Sequence, residues 1–247
     1  MNSELLQQTG LLFLVTIVGG MIPFVRRWSD EALHMFLAIG AGVFLGAVFV
    51  HLLPEVMSHD LPKETGIAVL FGFLLIFFIE KFLFSRGDGG YEHNHFVLSI
   101  SALIGLSVHA LFDGFALAVG SADKALGEVV FISIITHKVS EAFALGSLLN
   151  LAAIPRSKIF LFVLLFAAMT PIGALVIAPL LGEQYAVFIH PLTGIATGTF
   201  LYIATGELLP EAFHSRKNRL INLLLLLTAV AMMTLISFEA ESAHLHD

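Results

Sequence analysis

The chain has no cysteine, which removes disulfides and thiolate metal ligands from consideration. It is also short of charge. Asp, Glu, Lys and Arg make up 13% of its residues, about half the roughly 25% found in soluble domains. That argues against a single water-soluble core. There is one tryptophan against 23 phenylalanines. No cleavable signal peptide is expected, because the first apolar run has no basic region before it and no small-residue cleavage site after it. The net charge of -7 says little, since in a membrane protein the placement of charge matters more than its sum.

What the chain does have is apolar length. Its 247 residues are 57% hydrophobic, with a mean hydropathy of +0.93. Eight segments of membrane-spanning length can be marked, at residues 5–25, 32–54, 66–84, 96–120, 127–150, 158–181, 186–210 and 219–238. The third and fourth are separated by the polar run from Ser85 to His95, and the other connections are short. The expected fold is an all-α polytopic membrane protein of eight transmembrane helices, forming one unit over residues 1–247. Pro171, Pro179 and Pro191 interrupt segments 6 and 7, and a lower count would follow if either were re-entrant.

Charge placement predicts the orientation. One set of alternate connections carries Arg26, Arg27, Lys81, Arg86, Arg156, Lys158, Arg216, Lys217 and Arg219. The other set carries only Lys63 and Lys124, and the twelfth base, Lys138, lies inside segment 5. By the positive-inside rule the first set faces the cytoplasm and both termini face away from it.

Two near-copies of one phrase sit inside the apolar segments. Segment 4 contains His109-Ala-Leu-Phe-Asp113-Gly-Phe-Ala-Leu, and segment 5 contains His137-Lys-Val-Ser-Glu141-Ala-Phe-Ala-Leu. On a helix, positions i and i+4 share a face, so each phrase aims an imidazole and a carboxylate at one place. Ionisable groups at that depth are costly and usually functional. Together His109, Asp113, His137 and Glu141 make a ligand set for a divalent cation of the zinc, iron or manganese kind. Gly114 and Ala142, which follow the two carboxylates, would let neighbouring helices approach.

A second pair of echoes lies at segment ends. Segment 2 ends His51-Leu-Leu-Pro54-Glu55, with His59 beyond; segment 7 ends Glu207-Leu-Leu-Pro210-Glu211, with His214 beyond. These segments run in opposite directions, so the two polar ends belong to opposite sides of the membrane. Paired motifs of opposite sense predict an inverted repeat with a site at mid-membrane, segments 1–3 against 6–8 around a central pair 4–5. His51, Glu55 and His59 would then line an outer mouth, and Glu207, Glu211 and His214 an inner one. The competing account is that these end residues only snorkel to water. Pro54 and Pro210 either kink their helices, freeing carbonyls and room for a hydrated ion, or merely end them. Gly42-x-x-x-Gly46 and Gly194-x-x-x-Gly198 suggest close helix contacts.

Other histidines carry less. His93 and His95 fall in the expected cytoplasmic loop beside Glu92, and His244 and His246 precede the terminal Asp247; both groups suit weak metal binding or ordinary polar tails. His34 and His190 stand near segment ends, where no metal role is expected.

With these residues in view, the chain resembles the ZIP (Zrt-, Irt-like protein) family of divalent metal transporters. The resemblance covers essentially the whole chain. It rests on His109-Ala-Leu-Phe-Asp113-Gly and His137-Lys-Val-Ser-Glu141, with support from His51-Leu-Leu-Pro-Glu55 and Glu207-Leu-Leu-Pro-Glu211. It implies import of zinc, iron, manganese, cadmium or cobalt into the cytoplasm, zinc first among them. It also implies an eight-helix bundle with inverted repeats, often a homodimer, in the plasma or inner membrane. The metal is then transported substrate, with no separate cofactor, and the partners are metal ions and the lipid bilayer rather than nucleic acid. Two departures matter. Many members place Asn after the first histidine and an acid after the second, which supplies a second, bridged metal; here those positions are Ala110 and Lys138. Some members add a carboxylate from the sixth helix, but no acid or histidine lies between Ile159 and Leu181. The centre is therefore expected to hold one ion, with the Lys138 ammonium near Asp113 or Glu141.

The rival of another class is a membrane-embedded metal hydrolase. It would need a general base beside its metal ligands, and neither His-Glu-x-x-His nor a carboxylate directly after a central histidine is present. An enzyme also leaves the inverted pairing unexplained. A passive channel would use the same ligands.

Overall fold

Continuous apolar runs must satisfy every backbone N–H and C=O internally once they leave water, and the helix does so within one segment. The computed structural model describes residues 3–25, 28–57, 62–84, 91–121, 124–152, 154–181 and 185–244. The described residues are helical almost throughout. Helix α1 is Ser3–Val25 and α2 begins at Asp30–Gly46. The latter passes through a π-helical turn, Ala47–Leu52, into Leu53–Met57. Helix α3 is Pro62–Phe78 with a π-helical end, Ile79–Phe84; α4 is Tyr91–Gly120 and α5 is Lys124–Leu151. Helix α6 runs through Arg156–Ile172, a π-helical turn Gly173–Ile177, and Ala178–Leu181. Helix α7 runs through Tyr185–Tyr202, a π-helical turn Ile203–Leu208, and Leu209–Ala212, and α8 is Arg219–His244. Among the described residues, seven of these meet the length and apolarity of a membrane span. The eighth, α5, carries His137, Lys138 and Glu141 within its apolar run.

The protein is an all-α polytopic membrane protein, and segments 6 and 7 run as continuous helices over Arg156–Leu180 and Pro191–Ala212, long and apolar enough to cross a membrane despite their prolines. The expected loop from Ser85 to His95 gives way to helix in its second half, because α4 begins at Tyr91 and takes His95 into its second turn. At the other end, Asn218 takes a φ of 62°, which Asn tolerates better than most residues. That reverses the chain before α8.

The packing follows the inverted repeat. Helix α1 packs on α5 as α6 packs on α4; α2 packs on α8 as α7 packs on α3; and α2 meets α5 as α7 meets α4. Two groups result, α1/α4/α5/α6 and α2/α3/α7/α8. The small-residue motifs occupy corresponding contacts. A Cβ on Gly42 would meet Leu226 and Ala229 of α8, and one on Gly198 would meet Val69 and Phe73 of α3. One on Gly114 would meet the Thr170 carbonyl of α6, while Ala142 lies against Gly19 of α1. At Gly198 the obstacle is backbone, which cannot swing aside. Replacing Gly198 by valine is expected to destabilise the protein by about 1–3 kcal/mol, the usual cost of overpacking. A lowered melting temperature of the purified protein in detergent would register this; an unchanged one would contradict the contact.

The π-helical turns of α2 and α7 also correspond. Each of these two ends one residue after His51 or Glu207, just before the Leu-Pro pair. The Leu53 N–H reaches the Val48 carbonyl and the Leu209 N–H reaches the Ala204 carbonyl, five residues back instead of four. A proline ring clashes with the carbonyl four residues before it, and the widened turn gives it room. Such single turns often occur at functional sites.

The outer surface of the bundle is apolar, with Leu14, Val18, Ile67, Leu70, Leu220 and Leu235 among the exposed side chains. Inside, the core joins both groups of helices through Leu37, Phe44, Leu145, Phe166, Phe200 and their neighbours.

Candidate metal centre

Helix α4 presents His109 and Asp113 one turn apart, and α5 presents His137 and Glu141 in the same way. One donor atom from each of the four lies within 4.8 Å of all the others. All are buried, the most exposed, Asp113, at 8%. His109 Nε2 is 3.2 Å from Asp113 Oδ1 and 3.3 Å from Glu141 Oε1. His137 Nε2 is 3.5 Å from Glu141 Oε1 and 3.9 Å from Asp113 Oδ2. Donors at zinc bonding distance on a tetrahedron stand about 3.3 Å apart, so these four need little movement to share one ion. Neither His109 Nε2 nor His137 Nε2 has a hydrogen-bond partner among the described residues. Buried lone pairs left in that state fit a cation better than they fit a finished core.

Lys138 closes the group. Its Nζ lies 2.7 Å from Asp113 Oδ2 and 3.0 Å from Glu141 Oε2. The side chain is fully buried and sits 5.2 Å over the Phe166 ring of α6. The ammonium therefore takes one oxygen of each carboxylate, while Asp113 Oδ1 faces His109 and Glu141 Oε1 faces both imidazoles.

The facing pair of helices supplies aromatic rings. Phe200 of α7 stacks on His109 at 4.1 Å between centroids, and Phe44 of α2 stacks on Phe200 at 4.2 Å. Phe44 and Phe200 each stand seven residues before the polar motif of their helix, so they are equivalent in the two repeats. Two equivalent residues in contact must lie beside the pseudo-two-fold axis, and the centre lies next to it. Sequence reasoning did not single out Phe200, since nothing local distinguishes it among so many phenylalanines.

The outlying site residues fall as follows. His51, in the π-helical turn of α2, shares a hydrogen bond between its Nε2 and Ser133 Oγ at 2.7 Å. Ser133 is one helical turn ahead of His137, which sets His51 next to the centre on the α5 N-terminal side. Glu207, in the π-helical turn of α7, is fully buried beside Ser101 of α4, and neither of its oxygens is hydrogen-bonded among the described residues. Glu211 is buried against His34 and His95, and His214 is exposed in the turn after α7. The backbone of Glu55 belongs to Leu53–Met57, while its side chain and His59 lie outside the described residues, as do the side chains of His93, His190 and His244 and all of His246.

A family model described as ZIP zinc transporter matches residues 6–96 and 85–237. The chain belongs to the ZIP zinc transporter family. It is 26% identical to zinc transporter ZIP1 of Takifugu rubripes, over 93% of this chain and 95% of that one. It is 27% identical to zinc transporter ZIP9-A of Xenopus laevis, over 84% of this chain and 86% of that one. Protein zntD of Dictyostelium discoideum is 33% identical over 59% of this chain, though over only 22% of its own length. The family is one of transporters, not enzymes, so the hydrolase alternative falls and the metal is cargo rather than cofactor.

Proposed function

We propose that this ZIP-family protein carries zinc across the membrane into the cytoplasm, binding one ion at a time on His109, Asp113, His137 and Glu141. The observation that supports this most is the buried cluster of four donors within 4.8 Å of one another, beside the pseudo-symmetry axis. A site there can be approached from either side by small rearrangements of the two helix groups. His51, Glu55 and His59 would serve the outer side, and Glu207, Glu211 and His214 the inner side. Iron, manganese, cadmium and cobalt accept the same donors, so geometry and supply decide among them. The basic connections support an orientation with both termini outside, in the plasma or inner membrane, and the family resemblance supports a homodimer.

The test is zinc flux into liposomes holding the purified protein and an internal zinc-sensitive dye. A zinc gradient is expected to give uptake well above protein-free liposomes. No excess flux from folded protein in either direction would reject the function.

A further inference from the structure

A second set of metal-type side chains gathers away from the centre, at the end of the molecule that carries the basic connections. Glu211 closes α7, His34 lies in the second turn of α2, and His95 in the second turn of α4. They are 8%, 4% and 3% exposed. His34 Nε2 is 3.1 Å from Glu211 Oε1, and His95 Nδ1 is 3.7 Å from Glu211 Oε2. The two imidazoles thus approach the two oxygens of one buried carboxylate from different helices.

The hydrogen bonding of His34 sharpens the point. Its Nδ1 lies 2.5 Å from the Asp30 carbonyl oxygen, which can only accept, so Nδ1 carries a proton. In the neutral ring, Nε2 then presents a lone pair to a carboxylate oxygen that also only accepts. Two lone pairs 3.1 Å apart need a cation or a second proton between them. A ring N–H held by a backbone carbonyl is the usual outer contact of a metal-bound histidine, fixing its tautomer and aim. The separations of 3.1 and 3.7 Å also lie either side of the roughly 3.3 Å edge of a tetrahedral zinc shell.

We propose that His34, Glu211 and His95 form a second binding site for a divalent cation of the zinc class, separate from the central four ligands. Water completes its shell. Glu207, buried one turn before Glu211 on α7, stands between the two sites. His214, exposed just beyond, stands on the side of solvent. Binding here does not depend on the transport reading; the role of this site as the last station before release does.

The test uses the full-length protein in detergent, titrated with zinc chloride against a chromophoric zinc chelator. Wild type is expected to bind two ions per chain. The H109A/H137A variant, which lacks two central ligands, is expected to keep one. Adding H34A and H95A should weaken that remaining ion by about a hundredfold or more, beyond the 10–100-fold that loss of an outer contact costs. X-ray absorption at the zinc edge should show imidazole scattering from the ion kept by H109A/H137A. Should the histidine deletions unfold the protein, E211Q in the H109A/H137A background preserves shape and removes the charge, and it too should lose the ion. The site is rejected if H109A/H137A binds no zinc, which would make the trio a protonated His34–Glu211 clamp between helices. It is equally rejected if the ion persists unchanged in E211Q. Absent zinc flux in wild type would strike the transport function while leaving this binding result standing.

Discussion

Zinc uptake by proteoliposomes is expected to fall by about a hundredfold or more when either His109 or His137 is replaced by alanine. Each imidazole provides one of four buried donors that lie within 4.8 Å of one another. Removing one leaves a three-ligand site in a buried space that water must enter to complete the coordination. Loss of an outer contact alone typically costs 10–100-fold in metal affinity, and loss of the ligand itself should cost at least as much. The histidines are the cleaner targets. Alanine at Asp113 or Glu141 would also take a carboxylate from Lys138, mixing a folding defect with a binding defect. His109 packs on Phe200, but its removal leaves the ion pairs of Lys138 in place, so the variants should still insert and purify. Normal uptake by both single histidine variants would reject the central assignment.

The parts of this molecule visible in the sequence are those with a local period. His109 with Asp113 and His137 with Glu141 are legible because a helix brings i and i+4 together, and the structure closes them into one cluster. The inverted repeat is legible because Leu-Leu-Pro-Glu occurs twice on segments of opposite direction. Contacts made across the fold leave no such trace. His34 and Glu211 are 177 positions apart, and His34 alone is an unremarkable polar residue in an early helical turn. His95 reads as part of a polar loop because Ser85–His95 contains three glycines and several charges. In the structure it turns inward just ahead of Ser99, whose hydroxyl donates to its carbonyl at 2.7 Å and to the Leu148 carbonyl of α5 at 2.9 Å. The π-helical turns are equally silent, since an extra residue in one turn changes no residue type. Pro54 and Pro210 mark only that the ordinary ladder is disturbed there.

Replacing Lys138 is expected to change both the stability of the protein and the number of ions the centre holds. A fully buried ammonium at 2.7 and 3.0 Å from two carboxylates supplies fixed positive charge where zinc supplies exchangeable charge. Without it, the empty centre would hold two carboxylates with no cation beside them. Breaking a buried pair of this kind costs about 3–5 kcal/mol, so metal-free Lys138→Met should melt at a markedly lower temperature than wild type. Zinc binds only the folded state, and its stabilisation grows with concentration over Kd. Saturating zinc should therefore restore a larger share of stability in Lys138→Met than it adds to wild type. The ion count follows from the same charge. Nζ occupies one oxygen of Asp113 and one of Glu141, the atoms through which a second metal would be bridged, and it repels a cation placed there. Wild type should show one anomalous scattering peak at the centre, bonded to the four ligands, with Nζ still against a carboxylate. The double variant A110N/K138D, which removes the ammonium and adds two oxygen donors, should show two. Two peaks bridged by Asp113 or Glu141 in the wild-type protein, with Lys138 turned away, would overturn this account. Equal melting temperatures of metal-free wild type and Lys138→Met would show that the ammonium is not what holds the carboxylates together.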